Sequence, residues 1–276
     1  MYGYTIEQWF FLFCFYSLFG WCYESAYVSI KQKRWVNRGF MTGPFLPLYG
    51  SGAVMLLFIA APFREHVWAV FLAGVVGATI LEYLTGTVME ALFKVRYWDY
   101  SNMPFNYKGR ISLFASLLWG VMAVFINYFL QVYVEKLVFF IPEKTLSVID
   151  CVLLIGMVAD FSLAFKEALN FKMALSKLSG IKENLQRIKQ KLNSLTPIKG
   201  DELEQKRDFL WDGLTRHSAE IKNEIINLYS DYKENQAKKE HLKKEKWLYR
   251  ILRNNPTMHS EKYKEILQEL REHIKR

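Results

Sequence analysis

The sequence predicts an all-α fold: a polytopic membrane bundle of about five spans, followed by a cytoplasmic helical hairpin that begins as a coiled coil. Three observations carry this. Five segments stay apolar over roughly the 20 residues that a helix needs to cross a bilayer. Composition breaks sharply near Phe165: residues 1–165 hold 11 Lys/Arg and 10 Asp/Glu, whereas residues 166–276 hold 25 and 17. Beyond the break, apolar residues recur in alternating steps of three and four. The domains expected are therefore 1–165 in the membrane and 166–276 in the cytoplasm.

The spans fall at about 8–30, 45–63, 67–95, 111–134 and 146–165. The first has no basic n-region and no A-x-A-like site, and it runs past Glu24 into Lys31, Lys33 and Arg34. It therefore reads as a spanning helix and not as a cleavable signal. The second is entered through residues 37–52, NRGFMTGPFLPLYGSG, which set four Gly and two Pro among aromatic and apolar residues. That mixture breaks helices yet is too apolar for a solvated linker. We expect it to pack back into the bundle, since non-helical backbone near a membrane is tolerated where protein covers it or where it lines a cavity.

In the third span Gly74, Ala78, Glu82, Gly86 and Glu90 recur four apart and share one slowly drifting face. Small residues there let another helix approach closely. Between spans three and four, RYWDYS at 96–101 puts aromatics where rings favour the interface, with Asp99 among them. In the fifth span Asp150 is expected in the first turn, where the helix dipole favours an acid, and is read as structural. Asp160 lies deeper and its role is open.

Orientation follows from the basic residues. Lys31, Lys33, Arg34, Arg38, Lys94, Arg96, Lys108, Arg110, Lys166, Lys172, Lys177 and Lys182 fall on one side, against Arg64, Lys136 and Lys144 on the other. Twelve against three predicts a multi-pass cell-membrane protein with its N-terminus outside and its C-terminal domain in the cytoplasm.

In the polar half, Phe171, Ala174, Leu178, Ile181, Leu185, Ile188, Leu192 and Leu195 keep a heptad over four repeats. Pro197 and Gly200 end that helix, and Asp201 with Glu204 reads as a capping-box-like restart. Leu210, Leu214, Ile221, Ile225, Leu228 and Tyr232 form the stripe of a second helix. The short link favours an antiparallel hairpin, while the heptad could equally pair across a dimer. Residues 238–253 are basic with Trp247, Leu248, Tyr249, Ile251 and Leu252 interleaved, which suits either anionic lipid or packing on the hairpin.

Several function classes drop out. The net charge of +9 is what basic cytoplasmic segments give, and no recognition motif accompanies it, so no nucleic-acid partner is expected. Cys14 and Cys22 lie eight residues apart on one helix, about 12 Å along its axis, too far for a disulfide. No metal-ligand spacing occurs, so no metal or other cofactor is expected. There is no Walker A pattern, no G-x-S-x-G and no H-E-x-x-H, hence no P-loop ATPase and no recognised catalytic motif.

What remains is the set of carboxylates at membrane depth: Glu24, Glu82 and Glu90, with Asp150 and Asp160. Such groups are costly there and face a protein interior, a water-filled cavity or a partner. Glu82 and Glu90 either line a polar pocket or path, or accept hydrogen bonds from neighbouring Tyr, Trp, Ser or Thr and pair with Lys108 or Arg110. Glu24, near the inner interface, either joins that pocket or pairs with a basic residue there.

The ordered motifs Gly20-Trp21 with Tyr23-Glu24, Asn37-Arg38-Gly39-Phe40 into Gly43-Pro44 and Pro47-Leu48-Tyr49-Gly50, Glu82-Tyr83, Thr85-Gly86 and Glu90, Trp98-Asp99-Tyr100-Ser101, Phe105-Asn106 with Gly109-Arg110-Ile111, and Trp119-Gly120 resemble those of the bacterial membrane family called putative ABC-transporter type IV, or CmpB-like. The resemblance covers residues 9–120 and does not reach the helices after Lys166. Tyr97 stands where the family commonly has a second Trp. The resemblance implies a permease-like subunit that works with a separate ATPase, and Glu24, Arg38, Glu82, Glu90, Asp99 and Arg110 match the family's polar motif positions. The expected function is a membrane-embedded transporter subunit with these six around an acidic, inward-facing cavity, in contact with membrane lipid, a separate ATPase or a second copy of the chain. The rivals are a membrane scaffold or regulator acting through its coiled coil, and an intramembrane enzyme acting on a lipid-linked substrate.

Overall fold

The computed structural model describes residues 3–195, 219–243 and 245–275. Helix α1 spans Ile6–Gln32. It starts at a capping box in which the Thr5 hydroxyl accepts from the Gln8 amide while the Gln8 side chain accepts from the Thr5 amide. Lys33 ends it in the left-handed conformation, its N–H returning to Ser29 and Ile30. Helix α2, Pro47–Ala60, continues as a 3₁₀ turn, Ala61–Phe63. Helix α3 is Val67–Phe93, again closed by a left-handed lysine, Lys94. A two-residue antiparallel pairing follows, β1 Asn106–Tyr107 with β2 Ile111–Ser112.

Helix α4, Leu113–Phe125, is capped by the Ser112 hydroxyl, which accepts from the Ala115 amide. It passes through a π-helical turn, Ile126–Leu130, into α5, Gln131–Phe140. The fourth apolar segment thus begins two residues later than the sequence predicts, because Ile111 and Ser112 pair with β1. Helix α6 runs unbroken from Glu143 to Leu195. Composition changes at Phe165 but the helix does not end there, since 166–195 holds no proline and many strong helix formers. Because α6 starts at Glu143, Asp150 sits at its eighth position, beyond the first turn where the dipole acts, and Glu143 occupies the dipole-favoured place instead. Asp150 is buried, with neither carboxylate oxygen hydrogen-bonded within the described residues.

The chain falls into two compact units. The first comprises residues up to Asn170 together with Arg250–Lys262. Three of its helical stretches, Val67–Phe93, Leu113–Phe140 and the start of α6, are long and apolar enough to cross a membrane. On α3 two stripes run side by side. Val70, Gly74, Ala78, Glu82 and Gly86 are buried, whereas Trp68, Leu72, Val76, Ile80, Leu84, Val88 and Leu92 are exposed. An uninterrupted exposed apolar stripe of that length suits lipid and not water.

The buried stripe lies against α4: a Cβ on Gly74 would sit 2.4 Å from the Ala123 Cβ and 3.2 Å from the Gly120 Cα. Helices α1 and α2 approach as closely, for a Cβ on Gly50 would meet Ser17 Oγ at 2.2 Å and the Phe13 carbonyl at 2.4 Å. Such contacts are how helices associate without a hydrophobic drive between them.

Residues 37–46 are irregular and fold back on the bundle, while Pro47 opens α2 at its first helical position. Asp160, open in the sequence reading, anchors this segment by accepting from the amides of Thr42 (3.2 Å) and Gly43 (2.8 Å). The Trp21 indole donates to Asn37, whose amide donates to the Thr42 carbonyl.

The second unit comprises Phe171–Tyr249 and Tyr263–Arg276. It holds the end of α6, helix α7 (Ala219–Lys243), the start of α8 (Lys246–Asn254) and helix α9 (Lys264–Lys275). Of the heptad residues, Phe171, Ala174, Leu178, Leu185 and Ile188 are buried and Ile181 half-buried. Leu175, Ile266, Leu267 and Leu270 are buried in the same unit. Lys182 pairs with Glu265 (2.8 Å) and Glu269 (2.9 Å), and Lys239 with Glu269 (3.0 Å), so α9 joins α6 and α7 where the sequence reading foresaw two helices. Pro197, Gly200, Asp201, Glu204, Leu210 and Leu214, and the side chains of Leu192, Leu195, Ile221 and Ile225, lie outside the described residues.

Candidate functional site

Within the first unit, α1–α4, the irregular segment and the 96–101 turn line a cavity of about 240 Å³. Its charged lining residues are Glu24, Arg38 and Glu82, and its walls include Tyr49, Tyr97, Trp98, Tyr100, Trp119 and Phe161. An apolar pocket with a few convergent polar groups is the usual form of a ligand site.

Arg38 is 5% exposed. Its Nε donates to Glu24 Oε1 at 3.2 Å, its Nη1 to Asn255 Oδ1 at 2.5 Å and its Nη2 to the Tyr97 carbonyl at 3.0 Å. Its backbone N–H donates to Ser25 Oγ. The guanidinium is thus fixed by three acceptors from three parts of the chain.

Glu82 is 4% exposed, and its Oε1 accepts from the Tyr100 hydroxyl at 2.8 Å. The Trp119 indole also acts on this carboxylate, yet Oε2 makes no hydrogen bond of normal geometry. Burial first, and then the neighbouring Glu82, hold the Tyr100 phenol far above its ordinary value, so it remains a proton donor at any physiological pH. Burial does the same for Tyr97.

The other three predicted site residues gather beside the cavity, around an arginine that the sequence reading used only to set topology. Glu90 Oε2 accepts from Arg110 Nε (3.0 Å) and Nη2 (2.9 Å) and lies 3.6 Å from Arg96 Nε. Asp99 lies 3.8 Å from Arg96 Nη1, accepts from the Ser101 amide and hydroxyl, and faces His259 Nδ1 at 3.4 Å. Arg96, 4% exposed, also donates to the Lys108 carbonyl and to Glu261. Gly109 closes this turn at φ 65°, where a Cβ would strike Asp99 and Ser101 oxygens at 2.5 Å. The structure therefore brings Glu24, Arg38 and Glu82 together at the cavity, and Glu90, Asp99 and Arg110 together in an adjoining ion network.

Residues 250–262 contribute to both, which the sequence reading missed. Asn255, 3% exposed, holds Arg38. Arg96 and His259 exchange backbone hydrogen bonds as an antiparallel bridge, and Ser260 Oγ donates to the Lys94 carbonyl. The signal for this strap was slight: Asn-Asn-Pro at 254–256 stops the amphipathic stretch, but nothing local says where it docks. Among the described residues, no group of three or more His, Cys, Asp or Glu comes together to hold a metal.

Two comparisons with known proteins found nothing and one found a family. The family model described as Putative ABC-transporter type IV matches residues 11–165. No curated protein and no solved structure matches the chain.

Proposed function

Since the chain belongs to the family described as Putative ABC-transporter type IV, we propose that it is a membrane-embedded, permease-like subunit that moves a small substrate through the cavity of Glu24, Arg38 and Glu82, with ATP hydrolysis supplied by a separate chain. The observation that carries this is the cavity itself, with a buried carboxylate in its wall. Polar groups at membrane depth mark substrate and ion paths.

In this reading all five predicted segments cross. Helix α1 has 27 residues, and α2 with its 3₁₀ extension has 17, the short end of what spans. The twelve-to-three basic asymmetry puts the N-terminus outside and the polar half, with its heptad as a coiled coil, in the cytoplasm. That half offers the surface for an ATPase or a second copy.

The intramembrane-enzyme reading needs two carboxylates within hydrogen-bond reach of each other, whereas at this cavity Glu24 is held by Arg38 and Glu82 by Tyr100. The scaffold reading needs every acid in the bundle paired, and Glu82 Oε2 is not.

Cysteine accessibility tests the proposal. In a chain with Cys14, Cys22 and Cys151 replaced, Thr85→Cys in the cavity wall should react with a small membrane-impermeant thiol reagent added to inverted vesicles. Arg64→Cys should react only from outside. A cysteine at 85 that is inert from both sides contradicts an inward-facing path.

A further inference from the structure

We propose that the cavity binds a small organic monocation, an ammonium group seated against Glu82 Oε2 and enclosed by aromatic rings. This deepens the permease reading and rests on it for the direction of use, though not for the binding itself.

Charge balance selects the sign. The charged lining residues are Glu24, Arg38 and Glu82, which leaves one negative charge uncompensated when all three are ionised. Glu24 and Arg38 satisfy each other. Arg38 directs its remaining guanidinium bonds to Asn255 and the Tyr97 carbonyl, so an anionic group finds no free cationic donor in the wall. Glu82 is the opposite case. A carboxylate accepts through two oxygens and several lone pairs, yet its Oε2 makes no hydrogen bond of normal geometry, beside the Trp119 indole and at a site 96% buried. An isolated buried charge is strongly disfavoured, and a cation in the cavity relieves it.

The walls select the kind of cation. Tyr49 and Trp119 lie with ring centroids 5.2 Å apart, Trp98 and Tyr100 also line the cavity, and the Tyr100 hydroxyl reaches Glu82. Aromatic faces attract ammonium groups most when desolvated. A hard metal cation wants six or more oxygen ligands, and no group of three or more candidate ligand side chains exists among the described residues. A cavity of about 240 Å³ has room for a compact ammonium compound or an ammonium headgroup.

The test uses the purified full chain in dodecyl maltoside, whose headgroup is uncharged, and reads tryptophan fluorescence, since Trp98 and Trp119 face the ligand. Benzyltrimethylammonium should quench saturably, while its neutral carbon isostere neopentylbenzene and the anion benzoate should not. Glu82→Gln should weaken the cation at least tenfold, and Glu82→Asp should retain part of the affinity. Competition by monomeric dihexanoylphosphatidylcholine would identify a lipid headgroup as the source of the ammonium, and absence of competition a free cation. Both outcomes uphold the ammonium site. Equal quenching by neopentylbenzene, no effect of Glu82→Gln in a folded protein, or no saturable binding of the cation overturns it. The comparison of cation with isostere is made on the unaltered chain, so it stands even if a variant fails to fold. These outcomes are separate from cysteine accessibility, which tests the path whatever the ligand.

Discussion

Arg38→Leu removes one side chain and strands three partners. Glu24 loses its counter-charge, and the buried Asn255 Oδ1 and Tyr97 carbonyl lose a donor. Breaking a buried ion pair by deleting one member costs about 3–5 kcal/mol, because the survivor stays charged and unpaired. Glu24 keeps 26% of its side chain exposed, so water relieves part of that and the low end, about 3 kcal/mol, applies. The double variant Arg38→Leu/Glu24→Leu removes the stranded charge and leaves only the two neutral acceptors, which cost about 1–3 kcal/mol each and are stranded in the single variant as well. It should therefore be more stable than Arg38→Leu alone, although it carries one more substitution. Arg38→Lys should fall between, since an ammonium keeps the charge but cannot reach three acceptors in a planar fork. Far-UV circular dichroism during unfolding of the full chain in mixed micelles supplies the free energies. A single variant that loses under about 1 kcal/mol, or a double variant destabilised by the sum of the two singles, refutes the reasoning.

Gly50→Val should destabilise beyond the ~1–3 kcal/mol of ordinary overpacking, because the Phe13 carbonyl 2.4 Å from its Cβ is backbone within α1 and cannot yield; the same micelle unfolding measures it. Asp160→Ala frees the amides of Thr42 and Gly43, so protease added to inverted vesicles should cut within 37–46 far faster than in the unaltered chain. At Glu269 burial alone would raise the carboxyl, but Lys182 and Lys239 outweigh it and hold the group below its ordinary 4.5. A depressed carboxylate stabilises fully above that value and loses the contribution as pH falls through its folded value, so amide protection of α9 should be flat at neutral pH and drop below about pH 4.5. The pairs are partly exposed, so Lys182→Met at neutral pH should cost under about 1 kcal/mol.

Periodicity made the apolar segments and the small-residue face of α3 legible, because both depend on spacing within one helix. Gly74, Ala78, Glu82 and Gly86 share a face at any packing, and α4 meets that face in the structure. The end of the fifth segment was not legible, since a composition change at Phe165 marks a change of surroundings and α6 continues through it. Asp160 could not be assigned because its partners are backbone amides over a hundred residues earlier. Arg96 looked like one more topological cation. Its ion pairs come from Glu90, Asp99 and Glu261, and only folding brings the last of these near. The split of the six polar motif residues into a cavity trio and a neighbouring network depends on side-chain direction, which spacing does not encode. The strap at 250–262 joins residues separated by some 160 to 220 positions, a non-local pairing with no periodic signature.

If the cavity carries cations through the Glu82 site, the intact chain moves them across the membrane at the expense of ATP. The most direct measurement is ATP-driven flux of radiolabelled benzyltrimethylammonium in membrane vesicles from the chain's own host. Vesicles with the intact chain are compared with vesicles containing Glu82→Gln at equal abundance. An ATP-dependent flux is expected with the intact chain and should fall to background with Glu82→Gln. A flux that is the same with the intact chain, with Glu82→Gln and without the chain would contradict it.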